Sequence, residues 1–193
     1  MTTTKRWCPY GNWDDIASSS NEQVIKDKIT GIVNYWEPNV IPPEIKSLIP
    51  EGSVIVDFGC GLGRNVRSLL EMSSTVIGYD IPEMIEQLNK TEEKSSYTRI
   101  TSDLKEALEG AHVVYDSVVI QHIISKEELL YIAQCIQESS VDWVVSLNYK
   151  GVQWNEVFLS FLNWEVVHIQ EDRTTFRGTP HILRCLRRPQ RRE

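Results

Sequence analysis

The chain has 193 residues, 41% hydrophobic and 24% charged, with a formal net charge of -7. Those are the proportions of an ordinary globular domain, long enough to bury a core without disulfide staples. No apolar run approaches the roughly 18 residues of a membrane span, and the negative balance argues against a dedicated binder of nucleic-acid phosphate.

The opening segment MTTTKRWCPYGNWDD lacks the apolar core of a signal peptide, so a cytoplasmic location is expected. Cys8, Cys60, Cys135 and Cys185 form no C-x-x-C pair and read as reduced, mostly buried thiols. No cluster of carboxylates, histidines or cysteines has the spacing of metal ligands, so no metal is expected.

In chain order, Ile25, Ile29, Ile32, Val33 and Trp36 come first, an apolar stripe on a helix starting near Ser20. Seven β-branched runs follow, at 53–58, 75–80, 97–102, 112–120, 142–148, 164–171 and 179–187. Between them lie helical patterns: Val66, Leu69 and Leu70; Met84, Ile85 and Leu88; then Leu129, Ile132, Ala133 and Ile136. Pro82 suits a first helical position, and Ser125 with Glu128 forms a capping-box pattern.

Strand then helix, repeated, predicts an α/β fold: a Rossmann-like, doubly wound, mostly parallel seven-stranded sheet with helices on both faces. Only DRTTFRG joins the last two strands, too short for a crossover helix, so they should form an antiparallel hairpin. The expected organisation is one domain over 1–193. It has an N-terminal helical extension or lid (1–50), a cofactor-binding core (51–187) and a basic tail (188–193). Arg184, Arg187, Arg188, Arg191 and Arg192 near the end read as a solvated tail, with phosphate docking as the alternative.

The exit of the first strand reads Asp57-Phe58-Gly59-Cys60-Gly61-Leu62-Gly63. Glycines at 59, 61 and 63 should let backbone approach a ligand, with a helix from near Arg64 aiming N–H groups at a negative group. A dinucleotide fingerprint would be G-x-G-x-x-G; this one is G-x-G-x-G with an acid two residues ahead. It resembles the first motif of the class I S-adenosylmethionine-dependent methyltransferases, a resemblance that holds from about residue 20 to 187.

That resemblance implies S-adenosyl-L-methionine as the cofactor. It places Asp57 near the methionine amino group, Arg64 at its carboxylate, Asp80 with Ile81 at the ribose, and Gly59, Cys60, Gly61 and Gly63 in the bend against the cofactor; Cys60 as a small space-filler is the other reading. Ser102, Asp103 and Leu104 would lie about the adenine, and Val119 and Gln121 beneath the methionine part. Other roles stay open: Asp57 orienting the turn, Asp80 or Asp103 capping a helix, Arg64 simply exposed.

A sulfonium methyl is already activated, so positioning dominates, and a nearby histidine could orient the acceptor or take its proton. Of the four histidines, His112, His168 and His181 are expected away from the exit loops, which leaves His122 as the catalytic candidate beside a structural role. The segment VVIQHII resembles a Q-H-I sequence of small-molecule members of the family.

Trp7, Tyr10, Trp13, Tyr35 and Trp36 are expected to roof the acceptor pocket or to pack ordinarily, with Tyr149 and Trp154 lining it. The [DNS]-P-P-[YF] signature of enzymes that hold a flipped base is missing. A small-molecule acceptor is therefore expected, methylated on O, N or S. A non-catalytic cofactor-binding module and a nucleic-acid or protein methyltransferase are the alternatives.

Overall fold

Apolar strands Val54–Phe58 (β1) and Val113–Ser117 (β4) lie side by side at the centre of a seven-stranded sheet. The computed structural model describes residues 41–123, 125–174 and 180–190, with 7–8, 11–12 and 18. β4 is buried at all five positions, as a central strand covered on both faces must be.

Outward on one side lie Thr75–Tyr79 (β2) and Arg99–Thr101 (β3). On the other lie Trp143–Tyr149 (β5), Pro180–Arg187 (β7) and Glu165–Thr174 (β6). The order is β3-β2-β1-β4-β5-β7-β6. The first five strands are parallel, and β7 runs antiparallel to both β5 and β6. Both the seven strands and the reversed hairpin are as the sequence predicts.

Two apolar layers sandwich the sheet. One holds Val56, Phe58, Val114 and Val144 against Leu104–Leu108 (α4 below), Lys126–Glu138 (α5 below) and Gln153–Leu162 (α6 below). The other holds Ile55, Val76, Tyr115 and Leu183 against Val66, Leu69 and Leu88. Ile41, Ile45 and Ile49 join this second layer, so residues 41–50, including the short helix Pro43–Lys46 (α1), pack into the core. The remaining helices are Val66–Leu70 (α2) and Pro82–Leu88 (α3), with α4, α5 and α6 after them.

Pro82 is the first residue of α3, and Ser125 Oγ accepts the Glu128 N–H (3.2 Å) at the start of α5. Several expectations need correction. Leu70 is 39% exposed and does not belong to the buried stripe of α2, which begins at Val66 rather than near Arg64. The fourth strand stops at Ser117 instead of running to 120, because the Asp116 carboxylate turns the chain by accepting the Val119 and Ile120 N–H groups. α4 and α6 were not foreseen. The helix expected over 20–36, and the side chains of Trp7, Tyr10, Trp13, Tyr35 and Trp36, lie outside what is described.

The basic end is not a solvated tail as far as it is described. Arg184 pairs with Glu156 (2.7 Å) and Arg187 with Glu165 (2.9 Å). Arg188 donates to the carbonyls of Gln137 (3.0 Å), Ile136 (2.9 Å) and Ser139 (3.1 Å), closing the C-terminus of α5, and its guanidinium lies 5.0 Å from the Trp164 ring. These carbonyls lie at the end of the helix, where Ile136 O also accepts the Ser139 N–H and hydroxyl, so a cation there adds hydrogen bonds to the cap and complements the helix dipole. Arg188→Ala is expected to lower stability by about 2 kcal/mol in urea unfolding; a loss below about 0.5 kcal/mol would show the cap to be ornamental. Arg191 and Arg192 are outside the described residues.

Candidate functional site

Five parallel strands end at one edge of the sheet, and their exit loops bring the acidic and polar side chains together. The glycine bend leaves β1 there. Gly59 N–H and Cys60 N–H both donate to Tyr79 O (2.8 and 3.0 Å), which ties the bend to the end of β2. Gly59 and Gly63 have φ of +72° and +90°, a backbone region that disfavours side chains.

The space freed at these two glycines is used by the protein itself. A Cβ on Gly59 would overlap the Val119 side chain, and one on Gly63 would lie 2.7 Å from Glu93 Cβ. In the Cβ direction the two glycines thus serve the protein's own packing: Gly59 lets the β1 exit close onto the β4 exit, and Gly63 lets the bend seat against the 3-10 turn Glu92–Ser96. Gly61, also at positive φ, turns its N–H to Asp80 Oδ2 (2.8 Å), and Ile81 N–H donates to Asp80 Oδ1 (2.7 Å). Asp80 thus braces the bend from the end of β2. Ile81 is buried behind it.

Asp57 is 1% exposed. Its Oδ2 accepts the Tyr97 hydroxyl (2.7 Å), whereas Oδ1 is buried with no partner among the described residues. Burial pushes this carboxyl up to about 7, against the pull of the Tyr97 hydrogen bond and of Arg64, while Asp80 adds a push. An orphaned buried acceptor beside a cofactor bend fits a cationic donor such as a methionine ammonium. Asp57, Asp80 and the bend therefore suit S-adenosylmethionine.

The native carboxyl holds its proton up to about pH 7 while an unfolded one, at 3.8, does not. The folded state then binds more protons between those values, and stability falls as pH rises from about 4 to 7, by up to ~4 kcal/mol. Asp57→Asn should abolish this slope: melts at pH 5 and pH 8 should show the variant gaining on the wild type at pH 8. An unchanged gap at the two pH values would refute the assignment.

The other sequence-predicted positions divide. Cys60 is buried, its thiol held well above the ordinary range by burial, as a filler would be. Ser102 and Asp103 are exposed at the end of β3, and Asp103 Oδ1 caps α4 by accepting the N–H groups of Lys105 (2.8 Å) and Glu106 (3.1 Å). Leu104 is buried in the helix-facing layer.

After β4, Val118 has φ +66°, unusual for a β-branched residue and a strain that marks functional loops. It is held by its N–H to Leu147 O (2.7 Å) and by Asp116. Asp116 is buried and accepts four bonds: Val119 N–H (3.0 Å), Ile120 N–H (3.2 Å), Ser146 Oγ (2.9 Å) and Asn148 Nδ2 (2.6 Å). Burial raises its pKa, and the hydrogen bonds from Asn148, Ile120, Val119 and Ser146 resist. None of Asp116, Ser146, Asn148 or Tyr97 was picked from the sequence as a site residue. The signal was present in two polar residues alternating through the apolar strand WVVSLNY.

His122 ends the 3-10 turn Ile120–His122, half-buried, and burial alone holds its imidazole down at about 4, so it is neutral at pH 7. Gln121 lies beneath it, its Oε1 accepting the Tyr149 N–H (2.7 Å). His112 lies at the opposite edge, its Nδ1 accepting the Val54 N–H (3.0 Å). His168 is midway along β6, paired with Cys185.

His181 requires a correction. It is buried opposite Tyr149 at the exit edge, ring centroids 4.4 Å apart. The reversed direction of β7 makes its first residues neighbours of the last residues of β5.

The family model described as Methyltransferase domain matches residues 56–140. No curated protein matches in sequence. Among solved structures, a SAM-dependent methyltransferase of Methanosarcina mazei is similar at TM-score 0.60 and 11% identity, covering 78% of this chain and 99% of that one. The N-methyltransferase NodS of Bradyrhizobium japonicum, in complex with S-adenosyl-L-homocysteine, is similar at 0.58 and 12%, covering 72% and 79%. A candidate RNA methyltransferase of Pyrococcus horikoshii is similar at 0.55 and 17%, covering 75% and 79%. The matched domain spans the glycine bend, Asp80 and the β4 exit, so residues 56–140 carry a methyltransferase domain, on a fold shared with S-adenosylmethionine-dependent methyltransferases.

Proposed function

We propose that this methyltransferase transfers its methyl group to O, N or S of a small-molecule acceptor held over the β4 and β5 exits, beside His122. The observation that carries this reading is the β4 exit itself, where a strained, hydrogen-bonded turn presents a neutral, half-buried imidazole. No base-clamping proline pair stands there. The similar structures include both an N-methyltransferase and a candidate RNA methyltransferase, so likeness of fold leaves the acceptor open. Against nucleic acid stand the net charge of -7 and Arg184, Arg187 and Arg188, the described arginines near the end, each paired within the protein.

When bound, S-adenosylmethionine supplies a methyl carbon already activated by its sulfonium. The protein's work is then to hold. Asp80 accepts from the ribose hydroxyls, Asp57 Oδ1 from the ammonium, and Ser102, Asp103 and Leu104 border the adenine side. Val119 and Gln121 form the floor towards the acceptor, and His122 contacts the acceptor. Alignment of the nucleophile and exclusion of water supply the rate.

A screen of small metabolites with methyl-labelled cofactor tests this. One class should be methylated, and His122→Ala should lower kcat/KM roughly 10²-fold with cofactor affinity within about twofold of the wild type. Labelling of RNA with no metabolite labelled, and binding that weakens steeply with salt, would overturn the proposal.

A further inference from the structure

We infer that Gln121 fixes His122 in the tautomer protonated on Nδ1, so that this imidazole meets the methyl acceptor as a hydrogen-bond donor and not as the base that removes its proton. The role towards an acceptor rests on the function proposed above, whereas the tautomer follows from the hydrogen bonds alone.

A backbone N–H can only donate. Tyr149 N–H points at Gln121 Oε1 (2.7 Å), which decides which end of the amide is oxygen. The amide nitrogen therefore faces the imidazole, 3.3 Å from His122 Nε2. That nitrogen has hydrogens and no lone pair to give, so His122 Nε2 must accept, and the proton of a neutral ring sits on Nδ1. A doubly protonated ring would set two donors against each other.

The arrangement is held from several sides. Gln121 is buried, Tyr149 is the last residue of β5 with its ring against His181, and His122 N–H donates to Val119 O (2.9 Å). Flipping the amide would break the Tyr149 bond and leave a buried N–H facing another donor. Burial, the one cause of the lowered imidazole affinity for protons, acts in the same direction.

The consequence is a substrate class. A ring whose Nε2 lone pair is engaged and whose Nδ1 carries hydrogen recognises a lone pair. The acceptor is then an anionic nucleophile with a further lone pair beside the one that attacks: a thiolate or a carboxylate, and not a neutral amine, whose single pair the donor would block, nor an unactivated alcohol. The nucleophile's lone pair forms the new bond to the methyl carbon, and the pair of the broken carbon–sulfur bond stays on sulfur. Such an acceptor leaves no proton to remove.

Long-range proton–nitrogen NMR on protein labelled at histidine nitrogens reads the tautomer without any acceptor, with His122→Ala supplying the assignment. At pH 7 the wild type should show the hydrogen on Nδ1 and a bare Nε2. Gln121→Glu replaces the donor with a carboxylate oxygen. It should move the hydrogen to Nε2 and raise the His122 pKa by about one to three units.

Hydrogen on Nε2, or on both nitrogens, in the wild type would overturn the inference even if Gln121→Glu does not fold. So would an unmoved pKa in a folded Gln121→Glu. Failure of the metabolite screen would instead count against the small-molecule reading and leave the tautomer standing.

Discussion

Asp116→Ala is expected to cost roughly 3–5 kcal/mol of stability and to abolish methyl transfer, whereas Asp116→Asn should lose much less. The alanine strips four donors of one buried acceptor, and those donors come from the β4 exit and from β5. Each buried group left unpaired costs about 1–3 kcal/mol before any relaxation. Without them only the bond to Leu147 O keeps Val118 at positive φ, and the turn bearing Gln121 and His122 should relax.

Asparagine keeps one oxygen for Val119 and Ile120 and places an NH2 towards Asn148. The Asn148 Oδ1 is buried without a partner among the described residues, so a flip of that amide supplies the acceptor the new donor needs. Urea unfolding together with turnover of both variants decides the matter. Equal losses for the two substitutions would show that acceptor geometry is not what Asp116 contributes.

Asp80→Ala is expected to weaken S-adenosylmethionine binding roughly 10²-fold, about 3 kcal/mol, read by calorimetry. Two effects add. In the binding mode proposed above the carboxylate accepts from the ribose hydroxyls, and it already accepts the N–H groups of Gly61 and Ile81, so its removal also loosens the bend. Asp80→Asn has one oxygen with which to accept and a nitrogen that repels the second backbone donor, and should fall between. A nicotinamide dinucleotide makes the control titration, with no binding expected to either protein. Cofactor affinity within threefold of the wild type for Asp80→Ala would remove the residue from the cofactor site.

The order of strands and helices was legible because it depends on short-range pattern. The β-branched runs, the seven-residue linker before the last strand and the proline opening α3 each restrict the backbone within a few residues. The acid at the end of β2 was legible too, since a fixed helix and strand length separates it from the bend. The glycine bend was read as open backbone, yet Gly59 and Gly63 are matched to Val119 and Glu93, residues 60 and 30 positions away. No local pattern records such a fit.

His181 shows the same limit in another form. Its position near the start of a terminal strand gave no measure of which edge that strand would begin on until the pairing with β5 was set. Arg188 lies just past the last strand, where a basic run commonly means solvent, but the end of α5 is brought beside it by Asp142 O accepting its backbone N–H (2.8 Å). Asp116, Ser146 and Asn148 come from two strands, and only their parallel register makes one network of them.

Local preference and hydrophobic period by themselves determined this protein's α/β architecture, its reversed final hairpin and the place of its cofactor bend. Tertiary structure alone decided which buried polar groups find partners: the four donors on Asp116, the unmatched oxygen of Asp57, and the amide that dictates where His122 carries its proton. The reason is physical. Secondary structure is chosen by torsions and burial along a few residues, whereas a buried hydrogen bond needs atoms from distant segments placed within about 3 Å of each other, and chain order does not encode that distance.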